Sequence, residues 1–266
     1  MVTSKGRYIW LATLILGAGL LGTATGVPGA IAANSATPTS AMNAPDCPRL
    51  PDPTHFVDRI DNRYFPLEPG TTFTYRETAD GQTSRDTVEV TTDSKLILGV
   101  TTTVVRDTAT TEAGDPIEKT LDWYAQDTSG NVWYFGEETA EYENGLAVST
   151  KGSWEAGVDG ALPGIVMSAN PQPGDAYSQE CAPGVARDAA KVLDLATSVA
   201  VPFGSFDNAL VTEDWNSLEP DIIEHKTYAP CVGLVQAVRV KGGVEEAVLV
   251  DVQKRAPAPG MGTRNC

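Results

Sequence analysis

Histidine is almost missing from this chain. Its 266 residues include two, His55 and His225, too few and too far apart for a His-rich zinc or iron site. Bases are scarce as well: 19 Lys and Arg stand against 35 Asp and Glu, a formal charge of -16. That balance excludes a nucleic-acid binder, which needs clustered Lys and Arg for phosphate. The four cysteines form no C-x-x-C pair, so they do not read as a metal site. Nucleophile-elbow, S-x-x-K, H-E-x-x-H and phosphate-loop patterns are all lacking, which disfavours the common hydrolase and nucleotide-dependent classes. A catalytic triad assembled only in space is not excluded by this. No calcium-binding loop of the EF-hand type occurs; the nearest stretch, Asp127 to Asn131, reads as a hairpin turn.

What is present begins with an export signal. Lys5 and Arg7 precede about fifteen mostly apolar residues, Tyr8 to Gly22, and Ala30-Ile31-Ala32 supplies a small-x-small cleavage site. The apolar run is shorter than a membrane-spanning helix needs, so residues 1–32 are expected to be removed, with no stable membrane insertion afterwards. Their loss, two bases and no acids, leaves 17 bases against 35 acids, or -18. A secreted protein of that charge is soluble and repelled by anionic membranes. Residues 33–54, rich in Ala, Pro, Ser and Thr, read as a flexible leader. Cys47, Cys181, Cys231 and Cys266 are expected in disulfides, as in other exported chains. Four cysteines allow three pairings; Cys181–Cys231 with Cys47–Cys266 is the preferred one.

Residues 55–266 are expected to form one β domain built from two repeats, about 64–162 and 163–255. The pairs Pro69-Gly70 and Pro173-Gly174, Leu98-Gly99 and Phe203-Gly204, Tyr124-Ala125 and Tyr228-Ala229, and Gly130 and Gly233 recur at offsets of 103 to 105. The texture throughout is strand and turn, rich in Thr, Val and aromatics with alternating polarity. In the first half the strands fall at 71–79, 83–97, 100–113, 117–127, 132–143 and 146–154. In the second they fall at 175–181, 186–201, 206–215, 222–229, 234–241 and 244–254. Segment 186–200 also has a helical reading, which the repeat overrides. The fold class is therefore all-β, with antiparallel strands in two duplicated halves forming a barrel or paired curved sheets.

The run Asn62 to Leu67, followed by Pro69-Gly70, resembles the opening of a group of exported bacterial β-rich proteins. Asp122 to Asp127, Gly130 to Gly136 and Gly152 to Gly157 are similar to the same group. Tyr228-Ala229-Pro230 with Val232 to Val235 resembles an ending shared by periplasmic proteins of the half-barrel type. The resemblance implies the fold and carries no activity. The chain departs from it at Cys231, where the pattern has a turn glycine.

Strand alternation gives one candidate site. On 117–127 one face carries Glu118, Thr120, Asp122, Tyr124 and Gln126; the matching face in the second half carries Glu224, Lys226 and Tyr228. If those faces line an interior, Asp122, Tyr124, Glu224, Lys226 and Tyr228 could orient a polar group on an otherwise apolar ligand. The leading expectation is a cofactor-free secreted barrel binding a small, partly apolar or lipid-like molecule. The alternatives are a cofactor-independent cyclase, isomerase or hydrolase using interior carboxylate, Tyr and Lys groups, and a cell-wall or surface interaction protein. No catalytic residue is assigned. His55 and His225 read as ordinary surface or packed residues, Trp123, Trp133, Trp154 and Trp215 as core, and the acidic stretch Glu137 to Glu143 as solvated surface.

Overall fold

The computed structural model describes residues 44–254. The expected signal peptide, the first part of the leader and Cys266 lie outside the described residues. A 3-10 turn at Pro53–His55 leads into β1 (Phe56–Val57), β2 (Ile60–Asn62) and β3 (Phe65–Leu67). A first set of long strands follows: β4 (Thr71–Ala79), β5 (Gln82–Ile97), β6 (Val100–Thr111), β7 (Pro116–Asp127) and β8 (Val132–Glu143). Short strands β9 (Leu146–Ser149), β10 (Trp154–Glu155) and β11 (Leu162–Met167) all pair with β8. The second set is β12 (Ala176–Ser178), β13 (Glu180–Cys181), β14 (Asp188–Val201), β15 (Gly204–Asn216), β16 (Ile223–Ala229), β17 (Gly233–Lys241) and β18 (Glu245–Lys254). The described chain is all-β, and the segment with a helical reading is strand β14 from Asp188 onward.

Every named pairing is antiparallel, and the main sheet runs β12-β14-β15-β16-β17-β18-β4-β5-β6-β7-β8-β11-β13. Its two ends nearly meet. Only Gln179 separates β12, which pairs with β14, from β13, which pairs with β11. The sheet is thus an almost closed barrel of twelve staves, each end of the circuit protected from further strand addition. Tight turns set the long hairpins: Asp80 and Gly81 both take left-handed φ, +49° and +78°, the geometry of a two-residue type I′ turn.

Strand alternation explains what points inward. Tyr75 pairs with Asp86 across β4 and β5, Val88 with Asp107 across β5 and β6, and Val105 with Asp122 across β6 and β7. All six are buried. On the outer side, Phe56 of β1 lies edge-on to Trp133 and Phe135 of β8, so that strand is covered on both faces. Trp123 is roofed by the Lys95 ammonium, 3.4 Å from its ring centre, which Glu155 holds at 2.8 Å. The four tryptophans expected in the core are buried there.

Sequence patterning did not register the hairpin formed by β2 and β3. It packs into the barrel, with Ile60, Tyr64, Phe65 and Leu67 buried. Asn62 fastens it: its side-chain amide donates to the Gly130 and Ser168 carbonyls, and its Oδ1 accepts from the backbone N–H of Tyr64 and Phe65. Gln126 adds a second anchor, accepting from the backbone N–H groups of Asp61 and Asn62.

The disulfide pairing differs from the preferred one. Cys47 bonds to Cys181, not to Cys266, and Cys181 is therefore not joined to Cys231. The reason is that the segment read as leader docks at β12 and β13 around Cys47, where Ser178 donates to the Pro45 carbonyl at 2.6 Å. Cys231 is also disulfide-bonded. Its φ is +68°, the left-handed region that the turn glycine of the resembling group would occupy without strain.

Closure of the barrel depends on one close approach. A Cβ on Gly164 of β11 would stand 2.1 Å from the Gln179 carbonyl oxygen. Replacing Gly164 with Ala should therefore cost about 1–3 kcal/mol, the usual range for forcing an atom into a packed site. Denaturant unfolding would show it as a lower midpoint. The same change at solvent-facing Gly81, where nothing lies within 4 Å of the added carbon, meets no such obstacle and costs only the strain of its φ.

Candidate functional site

The interior is strongly acidic. Among the described residues ten Asp and Glu are buried, against two bases, Lys226 and Arg239, both in the second set of strands. Glu77, Asp86, Asp107, Asp122 and Glu137, one from each strand of β4 to β8, point into the first half. The Glu137 position corrects the expectation that 137–143 is all surface: Glu138 and Glu143 are exposed, but Glu137 faces Asp122 across the β7–β8 ladder and is 3% exposed.

Burial makes four of these carboxyl groups, Glu77, Asp86, Asp107 and Asp122, hold their protons to higher pH than an ordinary carboxylate. Asp86 and Asp107 are hydrogen-bonded to each other, which requires a proton between them. Each also keeps its Oδ1 buried without a hydrogen-bond partner, as does Glu77 with its Oε1. Burial, reinforced by neighbouring carboxylates, pushes Asp107 and Glu77 well above the ordinary carboxylate range. Burial raises Asp122 to about 7, although the Tyr134 hydroxyl donating to it at 2.7 Å pulls the other way. Glu118 also rises to about 7 through burial, against hydrogen bonds from Thr139 and Thr120.

The second half balances its charge internally. Lys226 faces Asp214 at 3.3 Å, and Arg239 reaches Glu224 at 3.4 Å and Glu245 more closely. Burial works against the Lys226 ammonium, but Asp214, Glu224 and Asp188 outweigh it and hold its pKa above the ordinary value. Lys226 therefore belongs to this ionic cluster and makes no contact with Asp122.

Between the halves lies the β2–β3 hairpin. Phe65 stands between Tyr124, 5.5 Å away between ring centres, and Tyr228, 6.4 Å away. Tyr124 stacks on Tyr134 at 4.7 Å. Under the hairpin is a cavity of about 30 Å³, room for about two waters. Its wall is apolar, with Phe65, Leu67, Phe73 and Leu234, except where Asp107, Asp122, Tyr75 and Tyr124 converge. A second, outer cavity of about 140 Å³ shares Pro66, Phe73 and Val232 with it and opens toward Glu68 and Lys254.

Of the five residues singled out from the sequence, all are buried, and Asp122 and Tyr124 line this cavity. Tyr228 flanks the hairpin on its other side, while Glu224 and Lys226 sit in the ionic cluster. Asp107, Tyr75 and the hairpin were missed. Asp107 could have been found by the alternation that picked out Asp122, since the two share an inward face of adjacent strands. The histidines stand apart: His55 is exposed and His225, half-buried, lies 3.6 Å from Glu213. Asp127 acts in a turn, accepting from the Ser129 and Asn131 backbone and from the Trp133 ring N–H.

No protein-family model and no curated protein matches the sequence. Among solved structures, the chain is similar to a Bacteroides fragilis protein described as exported with a YmcC-like fold. The two share 17% identity at a TM-score of 0.44, over 73% of this chain and all of that one. It is also similar to a Parabacteroides distasonis protein described as a lipoprotein, at 14% identity and a TM-score of 0.40, over 72% of this chain and 99% of that one. The Cys47–Cys181 bond belongs to an oxidising compartment, outside the cytoplasm. No helix of the described residues is long and apolar enough to cross a membrane.

The acidic interior fixes how stability responds to pH. Asp107, Asp122 and Glu118 hold protons in the folded chain to a higher pH than they would unfolded, so the folded state binds more protons between about pH 4 and pH 7. Stability must then fall as pH rises through that window. Thermal unfolding should give a higher Tm at pH 5 than at pH 8. Asp107→Asn, which keeps the shape and removes the charge, should raise Tm at pH 8 and flatten the dependence.

Proposed function

We propose that this is an exported, cofactor-free binding protein whose barrel takes a small, partly apolar molecule. The reading rests on the cavity beneath the β2–β3 hairpin, where a mainly apolar wall is interrupted by Asp107, Asp122, Tyr75 and Tyr124. That combination is how proteins hold a ligand by its body and orient it by its polar end. The inner space admits a head group, and the adjoining outer cavity has room for a short apolar tail. Because Asn62 and Gln126 pin the hairpin, the ligand is sized to the space that exists. The two six-strand arcs, β4 to β11 and β12 to β18, are on this reading copies of one unit. The first has been adapted to the ligand and the second to internal ion pairing.

One observation favours a second reading, a cofactor-independent enzyme. Asp122, raised to about 7 and hydrogen-bonded by Tyr134, has the proton affinity of a general base poised near neutral pH.

Native mass spectrometry of protein purified from its own culture medium tests the binding reading. A small molecule should co-purify with the wild type. It should be lost from Val88→Ile or Val105→Ile, each of which adds one methylene to the cavity wall. A wild-type protein that carries no ligand and takes none from a panel of small amphiphiles would refute the reading. Conversion of a ligand that stops in Asp122→Asn would move the case to the enzyme.

A further inference from the structure

The two halves of the barrel resolve the same problem differently. In the second half each buried carboxylate cluster is met by a base from the chain, Lys226 on β16 or Arg239 on β17. In the first half no Lys or Arg is buried, and Arg76, Arg85, Arg106 and Lys119 all lie on the exposed side of their strands. The repeat alignment on Tyr124 and Tyr228 places Asp122 where the second half has Lys226. Asp107, 3% exposed, lines the inner cavity and keeps its Oδ1 without a hydrogen-bond partner.

Three features of the cavity bear on what would meet that charge. Aromatic rings from Phe65, Phe73, Tyr75 and Tyr124 line it, as suits the face of an organic cation. Among the described residues no three Asp, Glu, His or Cys come together in a group that could hold a metal ion. The carboxyl groups are spread around a small space with apolar walls leading outward, as suits a compact donor head attached to an apolar body.

We infer that the first half of the barrel binds a small alkylammonium compound, its cationic head between Asp107 and Asp122 and its apolar tail directed past Phe73 and Val232 to the outer cavity. This rests on the binding reading above and specifies the ligand's class. The head donates hydrogen bonds to the carboxylates and replaces the positive charge that Lys226 supplies in the second half. Binding requires Asp107 and Asp122 to ionise, so it releases protons. The other titratable groups around them are all acids or phenols: Glu77 and Tyr75 from β4, Asp86 from β5 and Glu118 and Tyr124 from β7. Tyr134 and Glu137 come from β8, Glu180 from β13, Tyr228 from β16, and Glu245, which is itself paired with Arg239, from β18. Affinity for an ammonium must therefore rise with pH between 6 and 8, where a simple alkylamine itself stays protonated.

Isothermal titration with n-hexylamine and 1-hexanol, matched in length and differing in charge, tests this at pH 6 and pH 8. The amine should bind at least tenfold tighter than the alcohol at pH 8, and more tightly at pH 8 than at pH 6. Asp107→Asn and Asp122→Asn, each verified as folded by its unfolding midpoint, should remove the advantage of the amine over the alcohol, measured on the same variant. Equal binding of amine and alcohol would overturn the ammonium assignment while the binding reading stood. Binding of neither would overturn the ammonium assignment, and the binding reading falls with it if the native protein also carries no ligand and takes none from the amphiphile panel. Amine binding that both Asn variants retain would place it on the acidic outer surface and overturn the assignment as well.

Discussion

A twelve-stave barrel encloses more space than its own side chains readily fill. Eight staves already give an interior that side chains just fill, and the diameter grows with each further stave. Here the excess is taken up in two ways. The β2–β3 hairpin is packed inside, Phe65 between the two tyrosines, and long polar side chains replace aliphatic ones along the inner wall. The second device places ionisable groups where water is scarce, and most of the unusual properties of the molecule follow from it.

Buried charge is costly unless it is paired or neutralised. The second half pairs it, through Lys226 and Arg239. The first half neutralises it, by retaining protons on Asp86, Asp107 and Glu77. The two solutions differ in what they allow. Ion pairs are already satisfied by the chain, whereas protonated carboxyl groups can exchange a proton for a different cation. That difference is why the proposed site is assigned to the first half, although the sequence pattern presents matching polar faces in both.

The long strands were legible to within a residue or two, because period-two alternation and glycine- or aspartate-bearing turns mark most of them; β11, and the break that divides 146–154 into β9 and β10, were not. The inward polarity of Asp122, Tyr124, Glu224, Lys226 and Tyr228 was legible too, but not which residues of the two faces would meet. Alternation fixes the face of a strand, while contact across a barrel depends on closure and register shifts such as the one between Asp122 and Tyr124. The hairpin escaped notice because β2 and β3 have three residues each and Pro66 sits within the second, below the length at which periodicity is readable. Glu137 was hidden twice: four glutamates in seven residues look solvated, and strict alternation from Trp133 and Phe135 would turn it outward, whereas the register shift between Tyr134 and Glu137 turns it inward to face Asp122. The Cys47 pairing depended on where a proline-rich segment docks, which no local pattern encodes.

The two seams of the barrel are unequal, and the covalent chemistry follows that inequality. Strand β18 pairs with β4 continuously, from Lys254 opposite Thr71 to Glu245 opposite Ala79, apart from one register shift. At the other seam β13 meets β11 only at Cys181 with Leu162 and Glu180 with Pro163, and β12 meets β14 from Ser178 to Ala176. A ladder that short contributes few hydrogen bonds, and Pro163 removes one donor from it. The disulfide is placed on this seam: Cys181 belongs to β13 itself, and Cys47 with Pro45 docks beside it. A cross-link spanning 134 residues removes much of the freedom of the unfolded chain, so it stabilises most where the ladder stabilises least. The acidic interior adds to the need for it. Each carboxyl group that loses its proton without gaining a partner weakens the packing around it, and the short seam is where a barrel under that load would open first.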